Sequence, residues 1–207
     1  MRTSDFVLLL LDAWGGSTSG RTLLQKRAYF VSILRKESLA PVDFDAHYYG
    51  PYSAAIDASV GELKSMGFLD EAAMEFGTFG PSGFEIKRYD YRLTDDGRKV
   101  ADSLKRTHKH ESEVIRETVQ RIREAGDPDY SRLSVAAKAY FILAKKGLAM
   151  DRAQILRQAK SFAWNIDDES LEKAVAFLEA LGLVTQQTKQ AEEAASRPLP
   201  LVPPAFM

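Results

Sequence analysis

The sequence contains no cysteine among its 207 residues. This absence excludes disulfide bonds, metal sites built on thiolates, and enzymes that use a cysteine nucleophile. A chain without disulfides is typical of a reducing compartment, so we expect a cytoplasmic protein.

Long apolar runs and an excess of positive charge are missing too. The run from Phe6 to Leu11 is far shorter than the roughly 20 residues that span a membrane, and no small-residue cleavage pattern follows it. We expect no membrane partner. The net charge is −1, with 45% hydrophobic and 28% charged residues, which is typical of a soluble globular protein. No overall basic field attracts the chain to nucleic acid.

Residues 15–22, GGSTSGRT, differ by one residue from the phosphate-binding loop G-x-x-x-x-G-K-[ST]. Arg21 stands where that loop needs lysine, and the sequence lacks the alternating strand–helix pattern in which the loop occurs. We interpret the segment as a turn between two helices, with Ser19 or Thr22 as the helix cap. A nucleotide-binding enzyme is kept as a remote alternative.

The histidines form no metal-ligand pattern. His108 and His110 are two residues apart on a predicted helix and point to different sides, and His47 stands alone in an aromatic loop. No serine, histidine and acid arrangement emerges either. We therefore predict a protein that is not an enzyme and that has neither a metal site nor a cofactor.

The first 94 residues are predicted to be mainly α with a small β-wing. Apolar residues recur at helical spacing in 5–14 and 21–37. A third helix follows the candidate N-cap Ser53 and ends at Gly67. A strand begins at Phe68, and another covers 84–93. The predicted buried stripe of the third helix comprises Ile56, Val60, Leu63 and Met66.

The end of the second strand carries a motif, YRLTDDG. Tyr91, Leu93, Thr94 and Gly97 resemble the Tyr-x-Leu-Thr-x-x-Gly pattern with which winged-helix regulators close the wing and open the next helix. The resemblance implies a winged helix-turn-helix unit over residues 1–94.

The second half is predicted to be helical. Residues 95–126 favour one long connecting helix, whose apolar stripe suggests a homodimer contact. The helix end Leu178 to Gly182 repeats the helix end Leu63 to Gly67, and in both places apolar residues that begin a predicted strand follow the glycine. We therefore interpret 127–185 as a second winged-helix-like unit. Its three helices are predicted at 133–146, 151–164 and 168–181.

The last segment, 186–207, is predicted to be a Pro-rich flexible tail. Arg197, Pro200 and Pro203 have a spacing that suits aromatic grooves for polyproline helices, although a disordered or self-docked tail explains it as well.

Two stretches, GRTLLQKRAYFVSIL and FDAHYYGPYSAAIDASVGELKSMGFL, resemble the Panacea domain family over about residues 3–70. The family is winged-helix-like and includes antitoxins and proteolysis adaptors that bind other proteins. The resemblance implies a non-catalytic protein whose partner is a toxin or another neighbouring gene product. The long wing and the second half depart from compact members. The matching residues are Leu24, Gln25, Lys26, Tyr29, Phe30, Tyr49, Gly50 and Pro51.

The loop HYYGPYS is the main candidate site. Its tyrosines either fill the gap between the second and third helices or form a recognition surface, and both interpretations stay open. The predicted partner-binding residues are Gln25, Lys26, Tyr48, Tyr49, Pro51 and Tyr52.

DNA binding, as in a transcriptional regulator, is the alternative. Residues 1–94 contain ten basic and twelve acidic residues, and the third helix sets Asp57 and Glu62 against Lys64. A helix that docks between phosphates is expected to be basic, so this charge balance opposes the alternative. Its candidate residues are Arg27, Lys64, Lys87, Arg88, Arg92 and Arg98.

Overall fold

The computed structural model describes residues 1–35, 39, 42–79, 85–126 and 129–185, with the side chains of 75–79 and 85–87 excepted. This part of the chain is mainly helical with a small antiparallel sheet. Its helices are α1 (Thr3–Ala13), α2 (Arg21–Leu34), α3 (Ala54–Ser65), α4 (Asp95–Thr107), α5 (Lys109–Glu124), α6 (Tyr130–Lys146), α7 (Arg152–Ser161) and α8 (Asp168–Ala180). Its strands are β1 (Ser17–Thr18), β2 (Asp45–His47), β3 (Gly50–Tyr52), β4 (Leu69–Phe79) and β5 (Glu85–Leu93).

Helix α1 occupies the middle of the core. Six consecutive residues, 6–11, are buried, and α1 packs against α3, α4, α5 and β5. A helix that is apolar on all sides is stable only when neighbours cover every side. The apolar run near the start of the sequence is therefore a central core helix.

The GGSTSGRT segment joins α1 to α2 through a short strand that the sequence did not predict. β1 pairs with β5, placing Ser17 opposite Arg92. Gly20, with φ +90°, is the N-cap of α2, and no side chain caps that helix, so the prediction of Ser19 or Thr22 as cap is wrong. A helix precedes the loop, where a phosphate-binding loop follows a strand.

The local predictions for α3 are largely confirmed. The Ser53 hydroxyl accepts a hydrogen bond from the Ile56 N–H at 3.5 Å, and Gly67 has φ +73°. Val60 and Leu63 are buried as predicted. Met66 is half exposed, contrary to prediction, because it is the C-cap residue and lies beyond the last turn of the buried stripe.

The YRLTDDG motif joins the sheet to α4. The Thr94 hydroxyl donates to the Gly67 carbonyl at 2.8 Å and accepts from the Gly97 N–H at 3.0 Å. A Cβ on Gly97 would lie 2.1 Å from the carbonyl oxygen of Phe68. Glycine at 97 therefore lets α4 pass close to the start of β4. The three-stranded sheet has the order β1-β5-β4.

The prediction of one helix over 95–126 is wrong. Its polar middle contains a break at His108, with φ −119° and ψ 52°, and the two helices α4 and α5 both pack against α1. The apolar stripe of α5 is buried within the same chain, at Ile115, Val119 and Ile122. The stripe consequently gives no support to a homodimer.

The second half packs directly on the first. The three helices predicted there are present, and α6 contacts α2. Phe30 of α2 meets Phe177 of α8 edge to face at 5.5 Å between ring centroids. The predicted units therefore share one core, and no strand begins within 183–185.

The predicted tail, 186–207, lies outside the described residues, and so does its Arg197, Pro200 and Pro203 motif. Within the described ranges, no helix combines the length and the apolar character needed to cross a membrane.

Candidate functional site

The loop between α2 and α3 is a short β-hairpin. Strands β2 and β3 pair antiparallel, with His47 opposite Gly50, and Tyr48 and Tyr49 form the turn. We call residues 45–52 the tyrosine hairpin. It lies between α2 and α6, which both contact β3.

Gln25 of α2 fixes the base of the tyrosine hairpin. Its side-chain amide donates to the Ser53 carbonyl at 3.0 Å, and its side-chain oxygen accepts from the Ser53 N–H at 2.9 Å. Both residues are buried. The glutamine therefore pairs with one backbone residue as a neighbouring strand would, and sets the start of α3 relative to α2.

Lys26, the next residue of α2, holds strand β3 of the tyrosine hairpin. It is only 1% exposed, and its Nζ donates to the Pro51 carbonyl at 2.7 Å. Burial, assisted by the positive charge of Lys138, lowers the pKa of Lys26 to about 7. The amine therefore loses its charge at a far lower pH than an ordinary lysine does.

The second half of the chain holds the hairpin from the opposite side. The Trp164 indole N–H donates to the His47 carbonyl at 2.7 Å, and the Ser134 hydroxyl donates to the Tyr49 carbonyl at 3.4 Å. These pairs are 117 and 85 residues apart. No local signal in the sequence could have revealed them.

Two features of position 50 require glycine: a left-handed backbone conformation and the lack of room for a side chain. Its φ is +99°, and a Cβ there would lie 3.0 Å from Lys138 Cγ and 3.3 Å from Lys26 Nζ. Only glycine adopts this backbone conformation with ease. The Tyr-Gly-Pro sequence thus lets the hairpin close directly over two lysines.

The predicted partner-binding residues divide into two groups. Gln25, Lys26 and Pro51 are buried and hold the hairpin, so they do not present a surface to a partner. Tyr48 and Tyr49 are 68% and 51% exposed, with their rings edge to face at 4.9 Å. They do not fill the gap between α2 and α3.

Tyr52 lies between these two groups. It is partly exposed, and its ring lies 5.0 Å from that of His47. Burial, followed by the charge of Asp57 and a hydrogen bond to it, raises the pKa of Tyr52. Tyr52 therefore contributes to the base of the hairpin more than to its tip.

A cavity of about 280 Å³ lies between α2 and the tyrosine hairpin. It is lined by basic and aromatic residues that are more than twenty positions apart in the sequence. They include Arg21, Thr22 and Lys26 on α2, and His47, Tyr49 and Tyr52 on the hairpin.

Several residues of the DNA-binding alternative have partners within the chain. Arg27 donates to Thr18 at 3.2 Å and lies over the Trp14 ring. Lys64 forms an ion pair with Glu71, and Arg88 forms one with Asp90 at 2.7 Å. These carboxylates compete with phosphate for the same cations.

The other residues of that alternative lie along the sheet and α4. Arg92 on β5 and Arg98 on α4 are exposed, and Arg98 lies against Gly16. The side chain of Lys87 is outside the described part of the structure. Of the cations in this set only Lys64 lies on α3, which also carries Asp57 and Glu62.

No family model matches the chain. The resemblance to Panacea domains stays a prediction. Among curated proteins, the uncharacterized protein YwgA of Bacillus subtilis (strain 168) is 32% identical over 87 residues. The match covers 42% of this chain and 47% of YwgA, so it spans about half the length of that relative.

Proposed function

We propose that this chain is a non-catalytic binding protein, antitoxin-like or regulatory, that recognises a protein partner through Tyr48 and Tyr49. The observation that carries the proposal is an exposed pair of tyrosines on a hairpin that buried side chains hold from two sides. A cytoplasmic location accords with a chain that contains no cysteine.

The rigidity of the hairpin favours recognition. Tyrosine is enriched among the residues that dominate binding energy at protein interfaces. Such a residue contributes most when its backbone is already in the bound conformation, because less conformational entropy is lost on binding. Gln25, Lys26 and Trp164 supply that order to Tyr48 and Tyr49.

The arrangement of the first half is consistent with a winged-helix module. The spatial order of the sheet is β1-β5-β4, and in the sequence α2 and α3 come between β1 and β4. Both features support this assignment. In winged-helix proteins that read DNA, a basic helix enters the major groove. Here α3 carries Asp57 and Glu62, so we prefer protein recognition to the DNA-binding alternative.

Site-specific photocrosslinking in cells of the source organism tests the proposal. A photoreactive phenylalanine analogue replaces Tyr48 in one variant and Tyr89 in the control. Tyr89 is a suitable control because it is 39% exposed and lies on β5, away from the hairpin. We expect a discrete product from position 48, containing peptides of a second protein, and none at that mass from position 89.

Two results would contradict the proposal. One is the absence of any discrete product from position 48 or from the same analogue at position 49. The other is a set of products common to positions 48 and 89, which would indicate general adhesion to exposed aromatic groups.

A further inference from the structure

The cavity between α2 and the tyrosine hairpin concentrates positive charge. Arg21 and Lys26 line it together with His47, and the described residues that line it include no carboxylate. An acid, Asp57 on α3, lies beside the cavity, with its carboxylate 3.4 Å from Arg21 Nε. Asp57 offsets part of the charge of Arg21, and the charge of Lys26 has no such partner among the described contacts.

The Lys26 amine can donate more hydrogen bonds than its described contacts use. An ammonium group carries three N–H donors, and the described contacts of Nζ occupy one of them, with the Pro51 carbonyl. A buried cation is costly unless an opposite charge compensates it. An anion in the cavity would provide both the missing acceptors and the missing charge.

The N-terminus of α2 also favours an anion in the cavity. Gly20 is the N-cap, so no side chain caps the first turn, and Arg21 and Thr22 of that turn line the cavity. The free N–H groups at a helix N-terminus attract anions. The hydroxyl of Tyr49 adds a group that can donate from the hairpin side, whereas the hydroxyl of Tyr52 is hydrogen-bonded to Asp57.

We propose that this cavity binds a small molecule that carries a phosphate or carboxylate group, with Lys26 and Arg21 as its counter-charges. The ligand contacts the inner face of the hairpin, and Tyr49 belongs both to the cavity wall and to the exposed pair. The proposal is independent of any protein partner, since it concerns the chain alone.

Two simple anions serve as probes. Sulfate is a tetrahedral stand-in for phosphate that keeps its charge between pH 6 and pH 9, and acetate is a planar carboxylate. Backbone amide shifts of the full-length protein are followed by NMR at constant ionic strength, with chloride as the balancing ion. We expect saturable shifts confined to 21–26 and 47–52. The anion that binds more tightly distinguishes a phosphate ligand from a carboxylate ligand.

Protonation of Lys26 should control the affinity. The described charged or titratable groups around Lys26 are Lys138 of α6 and those that line the cavity with it, Arg21, His47, Tyr49 and Tyr52. Because Lys26 gains its charge as the pH falls, sulfate should bind at least about tenfold more tightly at pH 6 than at pH 9. The pH series is repeated on Lys26→Met to isolate the contribution of Lys26.

Variants complete the test. Lys26→Met and Arg21→Gln should each weaken sulfate or acetate binding at pH 6 by about tenfold or more. The control Arg92→Gln, at an exposed cation on β5, should bind as the unmodified chain does. Arg21 is half exposed, so its substitution leaves the fold intact even if Lys26→Met does not.

Three outcomes would overturn the assignment. The first is the absence of saturable shifts at the cavity for both anions. The second is an unchanged affinity in Arg21→Gln. The third is an affinity that is the same at both pH values.

Discussion

Replacing Lys26 by Met is expected to abolish a pH-dependent rise in the stability of the protein. The pKa of Lys26 is about 7 in the folded chain and near 10.5 in the unfolded chain. Between these values the unfolded chain binds more protons, so the free energy of unfolding increases with pH. At about 1.4 kcal/mol per pH unit, the rise from pH 7 to pH 9 is about 2 kcal/mol.

Urea unfolding at pH 6, 7, 8 and 9 measures this effect. The free energy of unfolding of the unmodified chain should be lowest at pH 6, where Lys26 is charged and buried, and should climb above pH 7. Lys26→Met should lack that climb, although it loses the hydrogen bond to Pro51 at every pH.

Lys99 provides the matched control, because it is an exposed lysine on α4 that pairs with Asp96. Lys99→Met should keep the full pH dependence of the unmodified protein. If Lys26→Met and the unmodified chain gave parallel curves, Lys26 would have the pKa of an ordinary lysine, and the expected pH dependence of anion binding at the cavity would fail with it.

Replacing Gln25 by Leu is expected to cost about 3 kcal/mol of stability. The substitution removes both partners of the Ser53 backbone, whose N–H and C=O groups are buried at the start of α3. Each buried group left without a hydrogen bond costs about 1–3 kcal/mol. Leucine has nearly the same size, so the loss arises from hydrogen bonding more than from packing.

Chemical denaturation gives the stability change, and hydrogen exchange locates it. The amide of Ser53 should lose protection in Gln25→Leu, while amides of α8 keep theirs. Gln120→Leu is the control, because Gln120 is exposed on α5 and bonds to Glu124; it should change stability by less than about 0.5 kcal/mol. Equal effects of the two substitutions would show that Gln25 does not hold the hairpin.

The sequence predicted those parts of the fold that depend on local signals. Ser53 and Gly67 mark the two ends of α3, and Thr94 caps α4, because capping and left-handed turns need particular residue types within a few positions. Gly97 leaves room for the Phe68 carbonyl beside α4. The break at His108 was missed. A polar stretch in a helix gives no clear stop signal, and the break is set by the packing of α4 and α5 on α1.

The sequence predicted which residues belong to the candidate site but not which of them are exposed to a partner. Tyr48, Tyr49, Gln25 and Lys26 were all selected from the sequence, yet only the tyrosines are on the surface. Whether a glutamine or lysine points inward depends on which backbone groups come to face it. That in turn depends on contacts such as Trp164 with the hairpin, which link distant parts of the chain.

The central claim is that the exposed tyrosine pair binds a protein, and the affinity for the crosslinked partner tests it most directly. Each tyrosine of an interface hot spot contributes about 2 kcal/mol or more, so Tyr48→Ala combined with Tyr49→Ala should weaken binding by about 1,000-fold. The free energy of unfolding should stay unchanged, and Tyr89→Ala should bind normally. A double variant that binds as tightly as the unmodified chain would contradict the claim.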